Sequence, residues 1–190
     1  MILFTDVETT NLLFNDIPRY DTRQPHIVQW ASMLTDNDGV ERAFYNFLIK
    51  PDGWTIPAEA TECHGITLAE CETYGIDIRM PTSMFSHMCH MADEIVIYNL
   101  GYDDEVIKCE YLRQGRDHYM YPEKLKCCMK PCTDICQLPN PRGYSGYKFA
   151  KLTEAHKHFF GMPQADAHDA GADVRATRDV WLKLREIKRV

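Results

Sequence analysis

The chain has 190 residues, 45% of them hydrophobic and 26% charged, with a formal net charge of −7. That composition is ordinary for a soluble globular protein and suffices for one compact domain, expected over residues 1–190. No run approaches the roughly 20 apolar residues of a membrane span, and the acidic balance argues against coating long nucleic acid by electrostatics alone.

The first eight residues carry the strongest signal. Ile2, Leu3 and Phe4 form a short apolar run of buried-strand type. Alternation then sends Thr5 and Val7 to one face and Asp6 and Glu8 to the other, the two carboxylates about 7 Å apart. Unpaired, they would repel each other and resist desolvation, and a divalent cation with oxygen ligands removes both penalties. The plainer alternative is a strand surfacing into an acidic turn. Thr9 to Leu12 reads as a polar turn in which Asn11 tolerates the left-handed region, and residues 13–25 read as loop.

Ile27 to Leu34 and Ala43 to Ile49 are expected as strands joined by a tight turn at Asp38-Gly39. Thr67 and Glu70 have the spacing of a capping box, with Gly75 closing a short helix. Pro81 to Ala92 has helical amphipathic spacing, and Ile95 to Tyr98 is a continuous apolar run expected as a central strand. A helix over Tyr102 to Leu112 follows, then an irregular stretch over residues 113–124, then a strand at Cys127-Cys128-Met129 and a short helical piece. Phe149 to Phe160 is amphipathic with Gly161 as its stop, and the last helix starts near Asp169. Its Arg175, Arg178, Lys183, Arg185, Lys188 and Arg189 read as a solvated face, with cations towards the C-terminal end of the dipole. A hairpin followed by alternating helices and strands implies an α/β domain with a mixed sheet.

Two further stretches carry candidate chemistry. Asn99-Leu100-Gly101-Tyr102-Asp103 sits where a strand gives way to a helix, a usual ligand position in open α/β sheets. Dipole complementarity explains Asp103, Asp104 and Glu105 equally well. His168 and Asp173 would point about 140° apart on one helix. They converge only if His168 lies on the lead-in and Asp173 on the first turns. The small residues Ala170, Gly171 and Ala172 would let that helix press against the strand bearing Asp6.

Taken in order, Asp6-Val7-Glu8-Thr9-Thr10, Asn99 through Asp103, and His168 through Asp173 form a pattern that resembles the DEDDh 3′–5′ exonucleases. That superfamily of polymerase proofreading subunits has an RNase H-like fold, a mixed β-sheet flanked by helices. Pro25-His26-Ile27-Val28-Gln29 and Cys63-His64-Gly65-Ile66-Thr67 also look like the family. The chain departs from it at Asn11, where glycine is frequent, and at Tyr98, where the family usually has histidine. The resemblance implies two Mg²⁺ or Mn²⁺ ions and in-line hydrolysis. Asp6 would bridge both ions, Glu8 and Asp173 would hold one, Asp103 would support the other with Asp104 as substitute, and His168 would be the general base. It also implies that Thr9, Thr10, Asn11, Leu12 and Tyr102 meet the 3′-terminal nucleotide, and that Asn99 and His64 assist, His64 being equally well read as a structural turn residue.

The implied partner is the 3′ end of DNA or RNA, single-stranded or frayed, with a polymerase as a further partner and no membrane. The rival functions are a catalytically idle nucleic-acid-binding or polymerase-associated subunit and an oligoribonuclease-type enzyme. With no leader before the first strand, a cytoplasmic, reducing setting is expected, in which the eight cysteines are mostly buried thiols. Cys127, Cys128, Cys132 and Cys136 lack the paired spacing of a zinc site. His26, His87, His90 and His118 show no partner at ligand spacing, and His156 and His158 read as ordinary surface or boundary residues.

Overall fold

The computed structural model describes residues 1–190 apart from 118–120, 142 and 144, so His118 lies outside the described residues. Strand β1 (Ile2–Thr9) is flanked on one side by β2 (Ile27–Thr35), antiparallel to it, with β3 (Glu41–Leu48) antiparallel to β2. On its other side β4 (Glu94–Ile97) and β5 (Leu125–Cys127) run parallel. The order β3-β2-β1-β4-β5 makes a mixed five-stranded sheet with β1 in the middle. Seven helices among the described residues complete the chain: α1 (Ala58–His64), α2 (Leu68–Tyr74), α3 (Arg79–Met91), α4 (Leu100–Arg113), α5 (Met129–Cys136), α6 (Leu152–Phe160) and α7 (Ala170–Glu186).

The alternation of β1 divides the core into two layers. Ile2 and Phe4 pack with Val174, Val180 and Leu184 of α7. Leu3 and Val7 pack with Phe85 of α3 and with Ile107 and Tyr111 of α4. The layer that begins at Ile2 and Phe4 continues, two residues at a time, to Asp6 and Glu8, so both acids leave the core on the side covered by α7. No described helix is long and apolar enough to cross a membrane.

Several local expectations need correction. The strand expected at Cys127-Cys128-Met129 ends at Cys127, and Cys128 is already the N-cap of α5. The amides of Cys128 and Met129 still bond the carbonyls of Ile97 and Tyr98 at 3.0 and 2.9 Å, so strand-like pairing persists while the chain turns into a helix. Helix α6 starts at Leu152 because Lys151 is extended, which leaves Phe149 outside it and exposed. Helix α4 begins two residues early, at Leu100. Asn11 is not in the left-handed region; its side-chain oxygen instead accepts from the Leu12 amide at 2.8 Å. Helix α1 was not among the elements expected from the residue pattern. Gly75 closes α2 without a positive φ: a Cβ there would lie 2.2 Å from the Cys71 carbonyl oxygen and 2.6 Å from the Lys50 amide. Close approach, not conformation, requires glycine at this position. The cations of α7 stay on a solvated face as expected, where Arg175 pairs with Glu41, Arg178 with Asp179 and Lys183 with Glu186.

Candidate active site

Two strand ends and two helix starts converge at one end of β1. Parallel pairing of β1 with β4 stops at Thr5 and Ile97. Beyond it the backbone of Val7 bonds the Asp103 carboxylate, tying the first turn of α4 to the strand that carries Asp6 and Glu8. The Asp103 and Tyr102 amides both donate to the Asn99 carbonyl, at 3.2 and 2.9 Å. Asp103 is 5% exposed and its charge acts on Asp6 and Glu8, so the geometry favours Asp103 as the site acid.

The start of α7 is fixed by residues that the sequence motifs did not single out as functional. Asp169 is its N-cap and accepts from the Ala172 amide at 2.9 Å. Gln29 of β2 donates to the other Asp169 oxygen at 2.7 Å and accepts from the Ala170 amide at 3.0 Å. A Cβ on Gly171 would come within 2.6 Å of the Asn46 side chain on β3, so the small residue permits the helix to sit this close. His168 precedes the cap with φ 69, a left-handed conformation costing on the order of 1 kcal/mol for a residue with a Cβ. The kink turns its ring towards Asp173. One ligand atom each from Glu8, His168 and Asp173 lie within 4.8 Å of one another. Gln164 donates to Asp173 at 2.6 Å.

The electrostatics of this cluster are uncompensated. Burial, then the charges of Asp103, Asp173, Glu8 and Asp169, pushes Asp6 well above the usual carboxylate range. Burial, then Asp173, Asp103 and Asp169, pushes Glu8 up to about 8. Burial lifts Asp103 to about 7 against the backbone bonds it accepts. Asp173 is also raised, mainly by burial, although Gln164 and His168 oppose the rise. Hard oxygen donors crowded in this way suit divalent cations such as Mg²⁺ or Mn²⁺, whose charge would remove the repulsion.

Beside the acids opens a cavity of about 550 Å³, lined by Glu8, the turn Thr9 to Leu12, His64, Tyr102 and a wall from α1. The Tyr102 hydroxyl donates to the Asn11 carbonyl at 2.7 Å and lies 2.6 Å from the Thr9 hydroxyl, fixing the turn. Thr10 exchanges bonds with the His26 backbone, 3.0 Å each way, and is mostly structural. Leu12 is 73% exposed at the rim. The His64 Nδ1 accepts from the Ile66 amide at 3.1 Å, and burial holds this imidazole below its usual pKa. Asn99 does not line the cavity; its contribution is the carbonyl that starts α4. The wall residues Glu59, Ala60 and Cys63 were missed with their helix. Pro57 as N-cap and Gly65 as left-handed C-cap were the available signals.

Of the four cysteines between 127 and 136, Cys128 and Cys132 are in the core that α7 covers, and burial pushes the Cys128 thiol well up. His26 stacks on Trp54 at 5.6 Å.

A protein-family model described as exonuclease, RNase T type, matches residues 3–180. The chain belongs to this exonuclease family. It is 34% identical over 183 residues to the uncharacterized exonuclease CP81 of Escherichia phage 186, covering 92% of the chain and 83% of that relative. Among solved structures it is similar to E. coli exonuclease I in complex with a dT13 oligonucleotide, with a TM-score of 0.74, 22% identity, and coverage of 97% of this chain and 40% of that one. Exonuclease I from Methylocaldum szegediense gives a TM-score of 0.71 at 24% identity, again covering 97% of this chain and 40% of the other. The chain thus spans about two fifths of the length of these solved structures, and at this identity they show the fold: the RNase H-like mixed sheet flanked by helices. Membership in the DEDD-type exonuclease superfamily agrees with the motif order of the acids.

The crowding has a measurable consequence in this exonuclease without metal. Glu8 and Asp103 keep protons in the folded state at pH values where the unfolded chain, with carboxyls near 4.5 and 3.8, has lost them. Stability therefore falls as pH rises from that range through about 7 and 8. Lowering the pH of the EDTA-treated protein from 8.5 to 6.5 is expected to raise Tm by at least about 3 °C, the shift from about 1 kcal/mol in a domain this size; further down, His26 and His64, held below their usual range by burial, oppose the gain. Below that range Asp21 and Asp77, both held at about 2 by neighbouring arginines, reverse the trend. A Tm that is flat or falls as pH drops from 8.5 to 6.5 contradicts the crowding.

Proposed function

We propose that the chain removes 5′-mononucleotides from the 3′ end of a nucleic acid. The observation that carries this is the convergence of Glu8, His168 and Asp173 within 4.8 Å, beside Asp6 and Asp103 and next to a nucleotide-sized cavity. Asp6, Glu8, Asp103 and Asp173 would hold two Mg²⁺ or Mn²⁺. Such ions supply Lewis-acid stabilisation of the charge that develops on the phosphate and lower the pKa of the attacking water. The turn Thr9 to Leu12, backed by Tyr102, seats the terminal nucleotide, with Leu12 against its base and His64 near its sugar or phosphate. His168 accepts the proton of the attacking water on a ring nitrogen, and its exposed position lets that proton pass to solvent.

Likeness to exonuclease I bound to an oligonucleotide supports single-stranded DNA as a substrate, with RNA as the alternative. An idle subunit that serves a polymerase or only binds nucleic acid would need a broken site, whereas all five side chains are present and grouped. A cytoplasmic setting belongs to the same proposal and fits the buried thiols Cys71, Cys89, Cys109, Cys128 and Cys132.

Turnover on a dT oligonucleotide is expected with Mg²⁺ or Mn²⁺ and to disappear with EDTA. Ca²⁺ should bind, visible as a rise in Tm, but support little turnover, because it accepts looser coordination than an octahedral site provides. Full activity after exhaustive chelation would overturn the mechanism.

A further inference from the structure

Resting on that nuclease reading, we propose that residues 147–162 form a platform for the single strand trailing 5′ of the seated nucleotide, with bases stacking on aromatic rings and phosphates meeting lysine. In a chain of net charge −7, the stretch Tyr147 to Met162 interleaves three lysines with exposed apolar and aromatic side chains and contains one acid, Glu154, which pairs with Lys148. The core takes little of it. Helix α6 buries Leu152 and Ala155 and packs Phe159 inward. At 100° per residue, Thr153, His156, Lys157 and Phe160 fall within about 100° of arc on the outward side. Phe149 is 66% exposed, Met162 64%, Tyr147 48% and Phe160 42%. His156 holds Phe160 and Met162 in place: its ring lies 4.7 Å from Phe160, and its Nδ1 is 2.8 Å from the Met162 carbonyl oxygen.

Both ends of the segment lie near the candidate active site. At the start, the Lys151 charge acts on Cys63 in the cavity wall. Just beyond the end, Gln164 donates to Asp173. Helix α6, about 14 Å long, connects these two points. Exposed rings interleaved with cations that continue from a nuclease centre are the surface that sequence-independent single-strand binding uses. Charge selects the occupant: a polyanion gains from Lys151 and Lys157, which a purely apolar partner would have to desolvate.

The test compares kcat/KM on a dinucleotide, pdTpdT, with that on dT20, for the wild type, Phe149→Ala/Phe160→Ala and Lys157→Gln, none of which alters a residue placed at the catalytic centre. The double variant should lose about 10- to 100-fold on dT20 and stay within about twofold on pdTpdT, since only the longer strand reaches the rings. Lys157→Gln should lower the slope of log(kcat/KM) on dT20 against log[salt] by about 0.7, the share of a single neutralised phosphate. Unchanged melting temperatures would exclude misfolding, because the replaced side chains are exposed. Wild type that cleaves neither substrate overturns the nuclease reading and the platform with it. Wild type that cleaves both, with variants indistinguishable from it on dT20, overturns the platform alone. So does an altered sedimentation coefficient with unaltered dT20 kinetics, which makes the face a self-association surface.

Discussion

Asp6→Ala and Asp173→Ala are each expected to abolish turnover while leaving the metal-free fold intact or more stable. Loss of activity follows from removing an oxygen donor from a site in which the carboxylates act together. The stability result is the less obvious half. Asp6 is buried among the charges of Asp103, Asp173, Glu8 and Asp169, and no cation among the described side chains forms an ion pair with it. Folding therefore forces like charges together, and deleting one relieves its neighbours. Each kcal/mol relieved raises Tm by about 2–4 °C in a domain of this size. Asp173 is less one-sided, because Gln164 loses its acceptor when the carboxylate goes, so its gain should be the smaller. Melting in EDTA beside turnover in Mg²⁺ checks both halves. Near-normal turnover in either variant, or loss of the cooperative melt, contradicts the assignment.

His168→Ala is expected to cost about 10² to 10⁴ in kcat, the usual share of a general base, with little change in metal affinity. Since only neutral imidazole accepts a proton, the wild-type rate should carry a pH dependence that the variant lacks. Backbone strain offers a confounding route to lost activity, because His168 sits at φ 69. Asn tolerates that region better than Ala, so His168→Asn separates the causes. If the imidazole matters, Asn is as slow as Ala; if the loop conformation matters, Asn recovers most of the rate. An unchanged kcat in either variant removes His168 from the chemistry.

The acids were legible in the sequence because strand alternation and helix starts are local rules. Asp6 and Glu8 share a face by the period of two that begins at Ile2, whereas the grouping of His168 and Asp173 with them rested on the resemblance, helix geometry supplying only the condition under which those two converge. The resemblance already put Asp103 ahead of Asp104, and the structure adds the physical reason: β4 stops at Ile97, freeing the Val7 backbone for the Asp103 carboxylate. Gln29 and Asp169 are 140 residues apart in the chain, and their bond across the start of α7 has no local signature. Helix α1 escaped because it is seven residues long and buries none of them, so no apolar period announces it. The turn at Asn11 was misread for a related reason: a side-chain bond to the next amide substitutes for a left-handed backbone.

The central claim, hydrolysis from the 3′ end at this cluster, is tested most directly by one oligonucleotide labelled at its 5′ end and incubated with protein and Mg²⁺, with a 3′-phosphorylated copy as control. If the cavity beside Glu8 receives a free 3′ hydroxyl, label moves through a descending ladder of shortened strands and appears in mononucleotide only at the end. The 3′-phosphate, placed against carboxylates, slows or stops that ladder. Immediate release of labelled mononucleotide, or equal rates on the blocked and free ends, would contradict the account.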